Sequence, residues 1–455
     1  MKGAQFSPFA RMLLAVPLVG GMFLTVGGIQ TQAQQANHEA RDLASPLAEV
    51  KPEAVGFSSD RLGRLDALMQ REVEEKQFAG IVTMLARHGK VVEYEAYGKK
   101  DLSTGAPMTK DTIFRIYSMT KPVTGVAMMI LYEEGKWLPS DPISKYIPEF
   151  AHLKVFKGVD QDGKMILEDP VHPPTMGELM THTAGFTYGQ FGDTPVHKMY
   201  LEQHVQESGS LQGMIDKLAK IPLLYQPGTE WVYSVSVDIQ GYIVEKLSGE
   251  SLPDFMREHI FEPLGMRDTG FYVPAEKRSR FTTLYHADEK GELIFEAADN
   301  GGFGINYFAQ AGKASGGGGL VSTARDYMRF AQMLLDGGAL GGVRILAPAT
   351  VKLMTSNHLP PSLMTGEFGI GAFQMKPGFG YGFDVGVFTD PMQDDTPVGA
   401  GTFTWDGAAA TWFWVDPAND IAFVGMVQRR LAPGVPNLEE LSRATVLQAL
   451  VDPHM

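Results

Sequence analysis

The sequence predicts a mixed α/β fold: an antiparallel sheet flanked by helices from both ends of the chain, with a mostly helical lobe inserted between its strands. Three observations predict it. A helix and then a hairpin stand near the start, a hairpin and then a helix close the chain, and the stretch between them is helical by periodicity.

The chain opens with Lys2 and Arg11, an apolar stretch from Met12 to Ile29, and the polar Gln30-Thr31-Gln32-Ala33. Charged, apolar and small-residue segments in that order predict a secretory signal peptide over 1–33, cleaved near Ala33. The competing reading is an uncleaved anchor, since Met12–Ile29 approaches the roughly 20 residues of a membrane span. Pro17 and the Gly20-Gly21 and Gly27-Gly28 pairs weaken a spanning helix. The expected mature chain is periplasmic or secreted, with no stable membrane span after processing.

Residues 34–56 read as an irregular lead-in. Ser58 or Ser59 then caps a helix whose apolar positions Leu62, Leu65, Met69 and Val73 keep the three-to-four spacing. Ile81–Ala86 and Val91–Tyr97, separated by Arg87-His88-Gly89-Lys90, predict a hairpin. Val123–Leu131 is apolar nearly all round, which marks a buried helix. The polar residues 158–174 read as a long loop or an exposed hairpin. Ile239, Tyr242, Ile243 and Leu247 form a helical stripe ending at Ser248-Gly249. Tyr327, Phe330, Ala331 and Leu334 form another, capped near Ser322 or Thr323 and stopped by Gly337-Gly338. A closing hairpin runs from Thr402 to Val415, turns at Asp416-Pro417-Ala418-Asn419 and returns along Ile421–Val427. The last helix takes Asn437 as cap with Glu440 three residues on. No internal repeat or long linker divides residues 34–455, so one unit is expected. Its α/β lobe covers about 50–105 and 290–455, and its helical lobe about 106–289.

Composition narrows the function. The 455 residues hold 39 Lys and Arg against 53 Asp and Glu, a net charge of −14. Losing residues 1–33 removes Lys2 and Arg11 and no acid, which leaves −16. A nucleic-acid partner is disfavoured, because phosphate neutralisation needs a basic surface. With 44% hydrophobic and 20% charged residues the chain is that of a soluble globular protein. It has no cysteine, which removes disulfides, thiolate metal sites and cysteine nucleophiles together. No Gly-x-Ser-x-Gly elbow, His-Glu-x-x-His zinc pattern or phosphate loop occurs. Gly316–Gly319 lacks a lysine partner and reads as a tight or mobile loop, and His182 as a structural histidine at a turn.

The chemistry centres on Ser118-Met119-Thr120-Lys121, directly ahead of the buried helix. Residues three apart share a helix face, so the amine reaches the hydroxyl. Burial disfavours the ammonium and leaves an amine able to take the serine proton. Pro122 fits a helix's first turn, and unpaired N–H groups there can hold an oxyanion. Ser-x-x-Lys alone is unspecific, but a lysine at the mouth of an apolar helix needs a partner. Two segments offer one: Tyr233-Ser234-Val235, between the Pro227-Gly228 turn and a capped helix, and Trp405-Asp406-Gly407-Ala408 in the final strand pair.

These three motifs, in this order and spacing, resemble the serine β-lactamase and penicillin-binding superfamily. The resemblance is greatest to the class C-related family VIII carboxylesterases. Flanking segments agree: Phe114-Arg115-Ile116-Tyr117, Thr181-His182-Thr183-Ala184-Gly185, Gln226-Pro227-Gly228-Thr229, Pro263-Leu264-Gly265-Met266 and the Gly-rich Ser315–Leu320. The resemblance implies a serine β-lactamase-like fold, an acyl-enzyme on Ser118, Lys121 as base and Tyr233 as proton relay. It also implies an oxyanion hole from the N–H groups of Ser118 and Ala408, and no metal or cofactor. Penicillin-recognising members keep an asparagine where this chain has Val235, and Lys-Thr-Gly where it has Trp405-Asp406-Gly407. Losing a cation and gaining Asp406 disfavours an anionic ligand. The expected substrate is therefore a small ester or amide, an uncharged ester above all. A β-lactamase or D-alanyl-D-alanine carboxypeptidase and a non-catalytic binding relative are the alternative readings. Nothing in the sequence sets the oligomeric state.

Overall fold

A computed structural model of the chain describes residues 46–288, 292–296, 305–310, 312–364, 369–370, 373–374, 377–430, 432 and 434–455. The expected signal peptide and the first part of the lead-in lie outside the described residues. The central strands are Ala48–Glu49 (β1), Gly80–Arg87 (β2), Lys90–Gly98 (β3), Phe379–Tyr381 (β4), Gly386–Phe388 (β5), Phe403–Asp406 (β6), Trp412–Asp416 (β7) and Ile421–Met426 (β8). They form one eight-stranded sheet in the order β1-β3-β2-β8-β7-β6-β5-β4. Its pairings are antiparallel, except that β1, from the lead-in read as irregular, pairs parallel to β3.

Strand side chains alternate between faces, and here both faces are covered. Ile81 and Leu85 of β2, Trp412 and Trp414 of β7 and Phe423 of β8 meet the helices Ser59–Glu74 (α1) and Leu438–Leu447 (α5). Val82, Met84 and Ala86, Phe413 and Val415, and Ala422 and Val424 point to the opposite face. There the sheet meets the rest of the core. At ~25 cal/mol per Å2 of apolar surface, burying both faces of this layer stabilises the fold. The terminal helices are locked on by local chemistry. Ser58 Oγ accepts from Arg61 N (3.3 Å), and Asn437 Oδ1 from Glu440 N (3.2 Å). Both Trp412 and Trp414 donate Nε1–H to Ser442 Oγ at 3.1 Å.

The remaining long helices are Thr120–Glu133 (α2), Ser236–Ser248 (α3) and Ala324–Leu335 (α4). α2 packs on α3, and α4 on β8, β7 and β2. Thr323 caps α4, accepting from Asp326 N at 3.2 Å, and Gly249 ends α3 in the left-handed region at φ 81°. Residues 158–174 contain part of an exposed hairpin, Val155–Val159 with Met165–Glu168. Among the described residues no helix is long and apolar enough to cross a membrane.

Two expectations need correction. Thr402–Val415 is not one strand: it breaks at Gly407–Thr411, where Gly407 N donates to Thr411 O (2.7 Å) and Ala410 takes φ 62°. Gly407 is the one local sign of the break, and the three alanines after it carry no turn chemistry. The helix after Tyr233 has no side-chain cap, because its capping position is the fully buried Val235.

Candidate active site

Ser118 is placed by the segment before it. Phe114–Arg115 pairs with Val321–Ser322. The Arg115 guanidinium is buried, donating to Thr282 O (2.9 Å) and Gln428 Oε1 (3.1 Å), with Phe281 stacked 4.0 Å from it. Tyr117 then enters the left-handed region at φ 41°. For a bulky residue that is strained by roughly 1–3 kcal/mol. Ser118 therefore lies in a 3-10 turn, Tyr117–Met119, that runs straight into α2. Tyr327 OH donates to Met119 O at 2.9 Å and Leu320 N to Thr120 Oγ1 at 3.1 Å, which fixes the turn from below.

Lys121, fully buried, points back across that turn. Its Nζ lies 3.1 Å from Ser118 Oγ and 2.7 Å from the Gly317 carbonyl. The faces of Tyr233 and Tyr188 stand 4.5 Å and 5.5 Å away. Burial lowers the pKa of this amine to about 7, against the opposing pull of Asp238, Asp384 and Asp406. A large fraction is thus uncharged at neutral pH, as a base for serine requires.

Tyr233 is buried beside Ser118, and burial drives its phenol far above the usual range, opposed by Ser118 and Trp405. It therefore carries its proton at neutral pH. Its ring is wedged between Trp231, stacked at 6.1 Å, Tyr188 at 5.3 Å and Trp405 at 5.7 Å. His182 closes the back of this aromatic box. It sits in a turn at φ 58°, its ring 5.0 Å from that of Tyr233, and Nδ1 is 3.0 Å from Ser234 Oγ. Burial holds its pKa well below the ordinary histidine value. The expected structural turn histidine is what this geometry describes.

Trp405 and Asp406 end β6, and Gly407 and Ala408 begin the turn that follows. A Cβ at Gly407 would collide with Ile116 O and Thr411 Oγ1. Only glycine lets this turn approach the backbone that leads into Ser118. Ser118 and Ala408 line the same cavity, whose volume is about 790 Å3. Gly407→Ala is expected to separate the two segments and lower hydrolytic turnover about 100- to 1,000-fold, the size of effect seen when one backbone donor facing a reacting carbonyl is lost. Steady-state kinetics beside a melting curve checks this.

Asp406 faces this cavity and is half-buried. Burial pushes its carboxyl up to about 7; Glu439 adds to the rise and Lys121 opposes it. Val235 also lines the cavity. The structure thus brings together Ser118, Lys121, Tyr233, Val235, Trp405, Asp406 and Ala408, with Gly407 as the contact that permits it. Three participants were not picked out as site residues by the sequence. The Gly317 carbonyl, Tyr188 and Asp238 reach the site from segments far along the chain, and no spacing links them to Ser118. Gly316–Gly319 is the tight loop of the two readings, with Gly319 N donating to Ser315 O at 2.9 Å.

A serine held against a largely uncharged amine, a protonated phenol and a close-packed turn with free space in front is suited to acyl transfer. Comparison with known proteins agrees. The chain is 36% identical over 357 residues to Protein Rv1367c of Mycobacterium tuberculosis, covering 77% of this chain and 86% of that one. Esterase EstB of Burkholderia gladioli is 29% identical over 391 residues, 82% of this chain and 91% of that one. Among solved structures, EstCE1, described as a hydrolase with promiscuous acyltransferase activity, superposes with a TM-score of 0.70 at 27% identity. That match covers 86% of this chain and 99% of EstCE1. The Beta-lactamase family model matches residues 65–446; the chain belongs to that family and is a serine hydrolase.

Proposed function

We propose that this serine hydrolase is exported and cleaves small, uncharged carboxylic esters through an acyl-enzyme on Ser118. The observation that carries the reading is the buried Lys121 amine 3.1 Å from the Ser118 hydroxyl. Lys121 takes the Ser118 proton as Oγ attacks the ester carbonyl. The oxyanion that forms is held by the N–H groups of Ser118 and Ala408. The intermediate collapses by breaking the bond to the alcohol oxygen, and the proton passes through Tyr233 to that oxygen. Water then attacks the acyl-enzyme, losing its proton to the same pair, and Ser118 is restored. The esterase name of EstB supports the substrate class. Export rests on the order of Lys2, Arg11 and Met12–Ile29.

Asp406 supports uncharged over anionic substrates. An acid on the cavity wall, next to Trp405, which stands where penicillin-recognising relatives keep a lysine, opposes a substrate carboxylate. The test is a panel of p-nitrophenyl esters of increasing acyl length beside a chromogenic cephalosporin. Turnover of short esters with little cephalosporin hydrolysis is expected; the reverse order overturns the reading. At pH 9, where this carboxyl is ionised, Asp406→Asn is expected to raise kcat/KM for a carboxylate-bearing ester, relative to its neutral counterpart, by about 5- to 30-fold, against only about 2-fold at pH 7. An unchanged ratio would show that the side chain does not face the bound substrate.

A further inference from the structure

We propose that Asp238 is the positioning residue of Lys121: it locks the glycine loop whose carbonyl holds the amine. The proposal rests on the acyl-enzyme reading above. Asp238 lies in the first turn of α3, three residues beyond Val235, the place where penicillin-recognising relatives carry a polar amide. At that spacing a helix presents both residues on one face, and both line the cavity. The polar function missing at Val235 is thus available one turn later.

The contacts form a continuous chain. Ser315 Oγ donates to Asp238 Oδ1 at 2.6 Å, and Gly317 N approaches the same oxygen at 3.5 Å. The Gly317 carbonyl accepts from Lys121 Nζ at 2.7 Å. Thr124 of α2 donates Oγ1–H to Gly316 O at 2.7 Å, so the loop is gripped by both helices. No side chain fits at Gly317: a Cβ there would stand 2.7 Å from Asp238 Oδ2 and 3.0 Å from the Tyr188 hydroxyl. Asp238 is buried. A buried carboxylate bonded to a loop places that loop within a few tenths of an ångström, and a base misplaced by 1 Å loses about 100-fold in rate.

Charge acts through the same residue. The groups facing Lys121 are Asp238 from α3, Asp384 from the β4–β5 turn, Asp406 from β6, the rings of Tyr188 and Tyr233, and His182. Of the three acids, Asp238 raises the proton affinity of Lys121 most. Asp384 is buried and accepts from Gln240 Nε2 at 3.0 Å; burial holds its carboxyl well above the usual range, opposed by Gln240 and Lys121.

The test needs no knowledge of the natural substrate. A fluorophosphonate reacts when Ser118 Oγ bonds to phosphorus, fluoride leaves and the hydroxyl proton goes to Lys121. Its labelling rate, measured from pH 5 to 9, reports nucleophile activation directly. In the full chain the rate is expected to rise through about pH 7, where Lys121 loses its proton. Asp238→Asn is expected to lower the plateau about 10-fold or more and to move the rise to lower pH, because one anion facing the amine is gone. Asp238→Glu keeps the charge at a different reach; it is expected to hold the rise near the wild-type pH while the plateau falls. Ser315→Ala, which leaves the carboxylate in place, is expected to lower the plateau without moving the rise. Wild-type plateau and wild-type rise in Asp238→Asn overturn the proposal, as does an identical displacement in the Asn and Glu variants, which marks a packing role only. Failure of the wild-type protein to label at Ser118 overturns the acyl-enzyme reading itself, and is seen before any variant is compared.

Discussion

Replacing Ser118 by alanine is expected to lower kcat/KM for a short p-nitrophenyl ester by at least about 1,000-fold, while the melting temperature stays near that of the wild type. The magnitude follows if Ser118 is, as proposed, the nucleophile of a concerted set. What remains is binding and oxyanion stabilisation, and in serine hydrolases losses of roughly 10^3- to 10^6-fold are usual. The fold is spared because the hydroxyl is only partly buried and makes few bonds. The turn that presents it is held by neighbours: Arg115 on Thr282 and Gln428, and Tyr327 on Met119. Steady-state kinetics with a melting curve checks both halves.

Lys121→Met is expected to cut turnover by about 100- to 10,000-fold, the range of general-base catalysis, and at the same time to make the protein more stable. The sign follows from proton linkage. Lysine ordinarily titrates at 10.5, and burial lowers Lys121 to about 7. The unfolded chain therefore binds this proton more tightly than the folded chain, which penalises folding. The penalty is absent above about pH 10.5, grows as the pH falls, and is complete below about pH 7. At ~1.4 kcal/mol per pH unit, the full depression is on the order of 5 kcal/mol. Methionine fills similar volume with nothing to protonate. Its melting temperature is expected to exceed the wild type's most at pH 7 and below, with the gap closing toward pH 10. A gap that stays constant with pH would show that Lys121 is not desolvated in the folded state.

The activity and stability of this site therefore pull apart. A buried amine is a usable base because the fold is worse off for holding it, and the surrounding contacts offset that cost. Trp231, Trp405, Tyr381 and His182 pack around Tyr233 and one another, which locks the phenol in place beside the buried amine. The strained Tyr117 sits immediately before Ser118, and active sites are where backbone strain held by packing commonly clusters.

Much of this was legible in the sequence, for identifiable reasons. Both terminal helix–hairpin pairs were readable because their periodicity is local. Leu62, Leu65 and Met69 repeat along a helix, and Ile81–Ala86 and Val91–Tyr97 are short runs on either side of a Gly-containing turn. Ser118 and Lys121 were readable because a three-residue spacing fixes their contact, and Tyr233 and Trp405 because their flanking motifs resemble a family. What was not legible came from long-range packing. The break at Gly407 depends on Ile116, nearly three hundred residues earlier in the chain. The Gly317 carbonyl meets Lys121 only after two helices have closed on the loop. A strand that pairs parallel at the sheet edge, Ala48–Glu49, is too short to show a pattern of its own.

The central claim, that Ser118 carries the acyl group during turnover, is tested most directly by mixing the protein with a short-chain ester, quenching with acid within milliseconds and mapping the peptides by mass. The expected result is one adduct of the acyl mass on the peptide holding Ser118, absent in Ser118→Ala and accumulating in Tyr233→Phe. Undiminished ester turnover with no adduct on that peptide, or with the adduct on another residue, would contradict it.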